Sequence, residues 1–140
     1  MSMQVSRVDV WAGQMKDTPG ALAGKLAKLA DAGVNLEFVL ARRRPEKKGS
    51  GVTFIAPIRG ARQSAAARKA GFAKSARLAA VRVVGPDKAG MGAKITAALG
   101  EAGINLRGLS GAVIGKKFLA YLALDSAADA AKAARIIKKM

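Results

Sequence analysis

The chain contains neither cysteine nor histidine. Without cysteine there is no disulfide and no thiolate nucleophile, which fits a reducing compartment. Without histidine the commonest general base and the commonest metal ligand are both missing. Carboxylates are scarce, nine in 140 residues. Only Asp125 and Asp129 stand at helical spacing, and that pair straddles a predicted helix start, where it complements the helix dipole. Ser110 and Ser126 have no histidine to activate them. The glycines of Gly85–Gly92 and Gly111–Gly115 match no phosphate-loop spacing. With no recognisable acid–base set, the chain is not expected to be an enzyme, and neither a cofactor nor a metal is implied. No apolar run approaches the roughly 20 residues that span a bilayer. Met1–Val5 lacks a basic segment followed by an apolar one, so no secretory signal is expected. The expected location is cytoplasmic, with no membrane partner.

Positive charge, by contrast, is abundant. Lys and Arg total 25, giving a net charge of +16. Residues 1–70 carry 13 Lys/Arg and 5 Asp/Glu, and residues 71–140 carry 12 and 4, so each half contributes +8. An even spread argues for a basic surface and against a dedicated binding arm. Such a surface guarantees some weak attraction to polyanions and does not by itself assign a function.

The organising feature is an internal repeat. Asp17-Thr-Pro-Gly20 opens a helical pattern that closes on Ala32-Gly-Val-Asn-Leu36. Asp87-Lys-Ala-Gly90 and Ala102-Gly-Ile-Asn-Leu106 repeat this at a constant offset of 70 (87 − 17 = 70). A single insertion or deletion would break that register, so the chain reads as two units. Units this small bury only about 60% of their unfolded surface and are marginal alone.

Each unit reads β-α-β-β-α. In the first, Gln4–Trp11 is a strand, Gly13–Asp17 a loop, and a helix of about four turns follows, with Leu22, Leu26, Leu29 and Gly33 on one stripe and Lys25 and Lys28 off it. Asp17 or Thr18 is the expected N-cap, with Pro19 in the first turn and Gly33 at the C-cap. Asn35–Ala41 and Val52–Ile58 are strands joined by the charged hairpin Arg42–Gly51, and Gly60–Ala70 is an alanine-rich helix. In the second unit, Leu78–Val84, Asn105–Ile114 and Phe118–Leu124 are strands. Met91–Ala102 and Ala127–Lys138 are helices, the latter capped by Ser126. The fold class is therefore α+β, with ferredoxin-like units in tandem, antiparallel sheets and helices on one face. The expected domains are 1–74 and 75–140. The closing strand is weak in the first (Phe72–Lys74 at best) and missing from the second. The open edges of Gln4–Trp11 and Leu78–Val84 are expected to be covered by pairing of the two halves or by a second chain.

With this order and these turns, the chain resembles the ACT domain family, as a small stand-alone pair of tandem ACT domains. The matching residues are Asp17, Pro19, Gly20, Leu22 and Ala32–Asn35 in the first copy, and Asp87, Gly90 and Ala102–Asn105 in the second. The second copy departs at Ala89, where proline is usual, and at Gly92, where leucine is usual. The resemblance implies a non-catalytic regulatory protein. It would bind a small molecule, an amino acid, where one unit's first strand–helix turn meets the second strand of a neighbouring unit. Carried onto this chain, the ligand-binding residues would be Asp17, Thr18, Pro19, Gly20, Ala21, Asn35 and Leu36, and Asp87, Lys88, Ala89, Gly90, Asn105 and Leu106. The chemistry suits such a ligand. The glycines stand at helix N-termini, where free N–H groups favour a carboxylate, and either aspartate can accept from an ammonium. The plainer roles are helix caps for the aspartates and Gly33/Gly103, and turn residues for the asparagines. If one loop alone binds, it is expected to be Asp17–Gly20.

Two rivals come from other classes. One is a nucleic-acid binder of ferredoxin-like fold. Trp11, Phe38, Phe54, Phe118 and Tyr121 fall on predicted strands, and Arg42–Arg44 with Lys47 and Lys48 could grip phosphates. No interleaved basic–aromatic motif accompanies them, and a charge run at a hairpin tip is ordinarily a solvated one. The other is an interaction subunit docking on a metabolic enzyme. The expected partners are the amino-acid ligand and a second copy in a homodimer, or tight tandem pairing, with an enzyme as a further partner.

Overall fold

The computed structural model describes residues 3–140, apart from the side chains of residues 75–77. The elements run β1 (Gln4–Lys16), α1 (Ala21–Asp31), β2 (Phe38–Arg43), β3 (Ser50–Ala56), α2 (Gly60–Lys69), β4 (Phe72–Pro86), α3 (Met91–Glu101), β5 (Leu106–Ile114), β6 (Lys117–Leu124) and α4 (Ala127–Lys138). They form two compact units. The N-terminal unit is Asp9–Ser75, and the C-terminal unit is Ala76–Met140 together with Met1–Val8.

This partition differs from a division at residue 74, because it falls inside the long strands β1 and β4. Each unit thereby gains a fourth strand. In the N-terminal unit the strand order is β2, β3, β1, then the start of β4, where Lys74 Nζ lies 3.2 Å from the Asp9 carboxylate. In the C-terminal unit the order is the start of β1, then β4, β6 and β5, and Met3 and Val5 pack on that unit's core. The C-terminal unit thus takes its outer strand from residues that precede the N-terminal unit. The pairs β1–β3, β2–β3, β4–β6 and β5–β6 are antiparallel, giving two ferredoxin-like α+β units.

Strand limits shift where pairing overrides local pattern. β1 continues through Gly13–Lys16, expected as a loop, because these residues pair with Ser50–Thr53 of β3. β2 starts at Phe38, since Asn35–Glu37 are still leaving the helix, with the Glu37 N–H donating to Ala56 O at 2.9 Å. β3 stops at Ala56, and the Ala56–Pro57 peptide is cis.

Both repeated helices end in the same way. Gly33 and Gly103 have φ of +80° and +75°. Their N–H groups donate to Ala30 O and Gly100 O, while Val34 and Ile104 donate to Leu29 O and Leu99 O. This is a Schellman motif, with the apolar residue after glycine packed near the residue it bonds. The glycine stands one position beyond the cap, which Ala32 and Ala102 fill. Ser126 caps α4 as expected, accepting from the Asp129 N–H at 3.0 Å.

The cores differ in build. The C-terminal unit buries Val81, Val83, Ile95, Leu99, Leu122, Leu124 and Ile137 among others. The N-terminal unit relies on Trp11, Leu29, Ile55 and Phe72, with α2 contributing little beyond Ala67. Cations cover the thinner core. Lys25, expected off the apolar stripe, is half-buried. It donates to Ala70 O and sits 5.4 Å from the Phe72 ring centre, and Arg68 lies equally close to Trp11. Their methylene stems pack while the charged heads keep polar or π partners.

Leu29 and Leu99 are 1% and 0% exposed at equivalent places in the repeat. Truncation of either to alanine is expected to cost about 3–5 kcal/mol in urea unfolding, the range for emptying a tightly packed leucine site.

Candidate functional site

The two strand–helix turns are built alike. The Ala21 N–H donates to Thr18 O at 3.2 Å, and the Met91 N–H donates to Lys88 O at the same distance. Gly20 and Gly90 both have φ of 85°, with ψ of −9° and 2°. This is the third position of a type II turn, which requires a left-handed residue, and proline suits the second position without being required there. Ala89 therefore replaces Pro19 without changing the backbone. Gly20 and Gly90 are the N-cap residues, and no side chain caps either helix. The expected capping roles of Asp17 and Thr18, and a place for Pro19 inside the helix, are thus overturned. The glycine turn already aims the helix, and Asp17 lies too far back along it.

Both turns are exposed, and both are tied to the hairpin of their own unit. The Asp17 N–H donates to Gly49 O at 3.0 Å and the Asp87 N–H to Lys116 O at 2.9 Å. At the start of α3, the Gly92 and Ala93 amides have no acceptor among the described residues, as the first turn of a helix dictates.

The asparagines lie elsewhere. Asn35 and Leu36 follow the far end of α1, and Asn105 and Leu106 follow the far end of α3. Each helix is 11 residues long, or about 16 Å at 1.5 Å per residue. Within one unit the structure brings Asp17–Ala21 together, and separately Asp87–Gly90, but it joins neither group to its asparagine.

The two turns differ in what their aspartates meet. Arg43, from the end of β2, places Nε 2.8 Å from the Asp17 carboxylate. Asp87 makes no ion pair among the described residues. The difference comes from the hairpins. The connection after β2 is long and basic, whereas β5 and β6 turn tightly through Gly115 and Lys116. In the long hairpin Arg44 pairs with Glu46 at 3.0 Å. The Glu46 carboxyl is held below the usual range, chiefly by its own backbone N–H and then by Arg44. Sequence reasoning missed Arg43 as a site residue, although its charge run was the available signal.

A second missed feature lies beside the other turn. A cavity of about 80 Å³ in the C-terminal unit is lined by Gly92, Ile95 and Thr96 of α3, Leu109 and Gly111 of β5, and Phe118 of β6. The Thr96 hydroxyl is satisfied on its own helix, at Gly92 O (2.9 Å) and Ala93 O (3.2 Å), so the wall is effectively apolar. A larger groove of about 390 Å³ in the N-terminal unit runs between α1 and α2. It is open, floored by alanine and rimmed by Lys28, Arg62 and Lys69, and Arg62 is already bonded to Asp31 O.

No protein-family model and no curated protein matches the chain. Solved structures match it over nearly its full length. A Bacteroides thetaiotaomicron protein superposes with a TM-score of 0.75 at 14% identity, over 95% of this chain and 88% of that one. The regulatory subunit of aspartate kinase from Thermus thermophilus, in a ligand-free form, gives 0.68 at 15% identity, over 99% and 96%. A structure of aspartokinase alpha and beta subunits gives 0.66 at 19%, over 99% and 96%. The chain shares the fold of these proteins. At such identities the likeness establishes fold, and function must be argued from the site.

The aromatics bear on the nucleic-acid alternative. Trp11, Phe72 and Tyr121 are buried, and Phe38, Phe54 and Phe118 are half-buried. None forms the exposed stacking platform that sheet-based RNA readers use. No helix among the described residues is long and apolar enough to cross a membrane.

The Asp17–Arg43 pair is exposed, with side chains 36% and 82% accessible. A double-mutant cycle on the two is expected to give a coupling below about 1 kcal/mol that fades in 1 M salt. Asp87→Asn should leave stability within about 0.5 kcal/mol, as for a surface change that breaks no partner.

Proposed function

We propose that this chain is a non-catalytic regulatory protein of two ACT-like units that binds an amino acid at an interface between units. The observation that carries the reading is the Lys88–Met91 turn. There an unpaired carboxylate, Asp87, stands beside a helix start whose Gly92 and Ala93 amides are free. A zwitterion needs both an acceptor for its ammonium and donors for its carboxylate. The shared fold with aspartate kinase regulatory subunits supports a role of this kind.

The preferred loop in this reading is Asp87–Gly90, in place of the expected Asp17–Gly20, and the Arg43–Asp17 ion pair supports the change. A ligand at Asp17 must first displace Arg43. An exposed pair is worth up to about 1 kcal/mol, so the handicap is roughly fivefold in affinity. Asn35 or Asn105 would reach the ligand only from a neighbouring unit, which a second copy of the chain would supply. The outermost strands of the two units, β2 and β5, favour this, since their free edges carry exposed Val39, Leu40, Leu109, Val113 and Ile114. Ligand binding would then shift how units pack and so change affinity for an enzyme partner.

A thermal-shift screen of the twenty amino acids tests this. One ligand at a hundred times its Kd should stabilise by about 2.7 kcal/mol, and Asp87→Asn should reduce the shift far more than Asp17→Asn. A flat response to all twenty would sink the reading. Ile114→Lys, on the free edge of β5, should shift the chain toward monomer in sedimentation. An unchanged sedimentation profile would remove the β5 edge from the assembly.

A further inference from the structure

The repeat allows one unit to be read against the other at the cavity of about 80 Å³. Subtracting 70 from Gly92, Thr96 and Gly111 gives Leu22, Leu26 and Ala41. All three positions carry less apolar bulk in the second unit. The recess thus opens where these three side chains are shorter, while Ile95 and Leu109, in place of Lys25 and Val39, give it an apolar wall. A Cβ built on Gly92 would meet no atom within 4 Å. Gly92, Gly111 and Leu109 are exposed, so the recess opens to solvent and presents an apolar wall to it.

We propose that this cavity takes the side chain of a small aliphatic amino acid, making the C-terminal unit the one that selects the ligand. The inference rests on the amino-acid reading above and names the ligand class. Size and polarity decide it. A cavity of this volume exceeds the roughly 10–15 Å³ that admits one water, but its apolar wall offers water no partners. It is smaller than the roughly 150 Å³ that accommodates benzene, so an aromatic ring would stand largely outside it. A charged side chain would find no counter-charge among the lining residues, whereas an aliphatic one would bury apolar area against Ile95, Leu109 and Phe118. A branched chain of three or four carbons meets both limits. The position is also appropriate, because Gly92 lies two residues beyond the N-cap Gly90 and belongs to the first turn that carries the free amides.

The test is calorimetric titration of the full chain with valine, leucine, isoleucine, phenylalanine, aspartate and lysine. At least one aliphatic ligand should bind tenfold or more tighter than the other three. Gly92→Leu should weaken that ligand at least tenfold while raising Tm, since leucine replaces glycine within a helix and enters open space. Gly111→Ala, whose added carbon would meet ordinary contacts at 3.6 and 3.8 Å, should weaken it less. Aromatic or charged ligands binding as tightly as aliphatic ones would overturn the cavity assignment and leave the regulatory reading standing. So would aliphatic binding indifferent to Gly92→Leu. No binding by any of the six, together with a flat response to all twenty, would overturn both.

Discussion

A β-strand with one unpaired side carries a row of unsatisfied amides and carbonyls, and small units cannot leave a central strand in that state. A β-α-β-β-α unit has this defect at its first strand. In the N-terminal unit the chain simply runs on, and Phe72–Ser75 provides the missing neighbour. In the C-terminal unit residues ahead of Asp9 provide that neighbour. The unusual length of β1 and β4, 13 and 15 residues, follows from this, since each serves as the first strand of one unit and the last of the other.

The parts legible in sequence are those set by backbone geometry over a few residues. The glycine turns at Gly20 and Gly90 and the endings at Gly33 and Gly103 need left-handed residues, and glycine announces them. Ser126 before an alanine-rich run marked a helix start correctly. What sequence could not convey depends on residues far apart in the chain. The extension of β1 through Gly13–Lys16 is decided by β3, the burial of Lys25 by Phe72, and the fate of the Asp17 carboxylate by Arg43. Gly92 was visible as a departure from pattern. Its meaning was not, because an empty volume exists only relative to what surrounds it.

The two units illustrate how one backbone plan yields unequal sites. The turns superimpose in every hydrogen bond that defines them, yet one aspartate carboxylate is paired with Arg43 of β2 while the other residue meets its two-residue turn through the backbone N–H. Position 25 is a lysine that caps a thin core, while position 95 is a buried isoleucine beside a cavity. Electrostatics dominates one copy and shape the other. A chain with a net charge of +16 can therefore still present one neutral, apolar recess.

The membership of Met1–Val8 in the C-terminal unit also bears on how the protein comes to be folded. During synthesis the N-terminal unit can complete itself once residue 75 is available. The C-terminal unit's outer strand is made before the N-terminal unit and must wait for partners some seventy residues downstream, and closing so large a loop is entropically slow. A cut or insertion next to Gln4 would therefore act on the packing around Met3 and Val5, in the C-terminal unit.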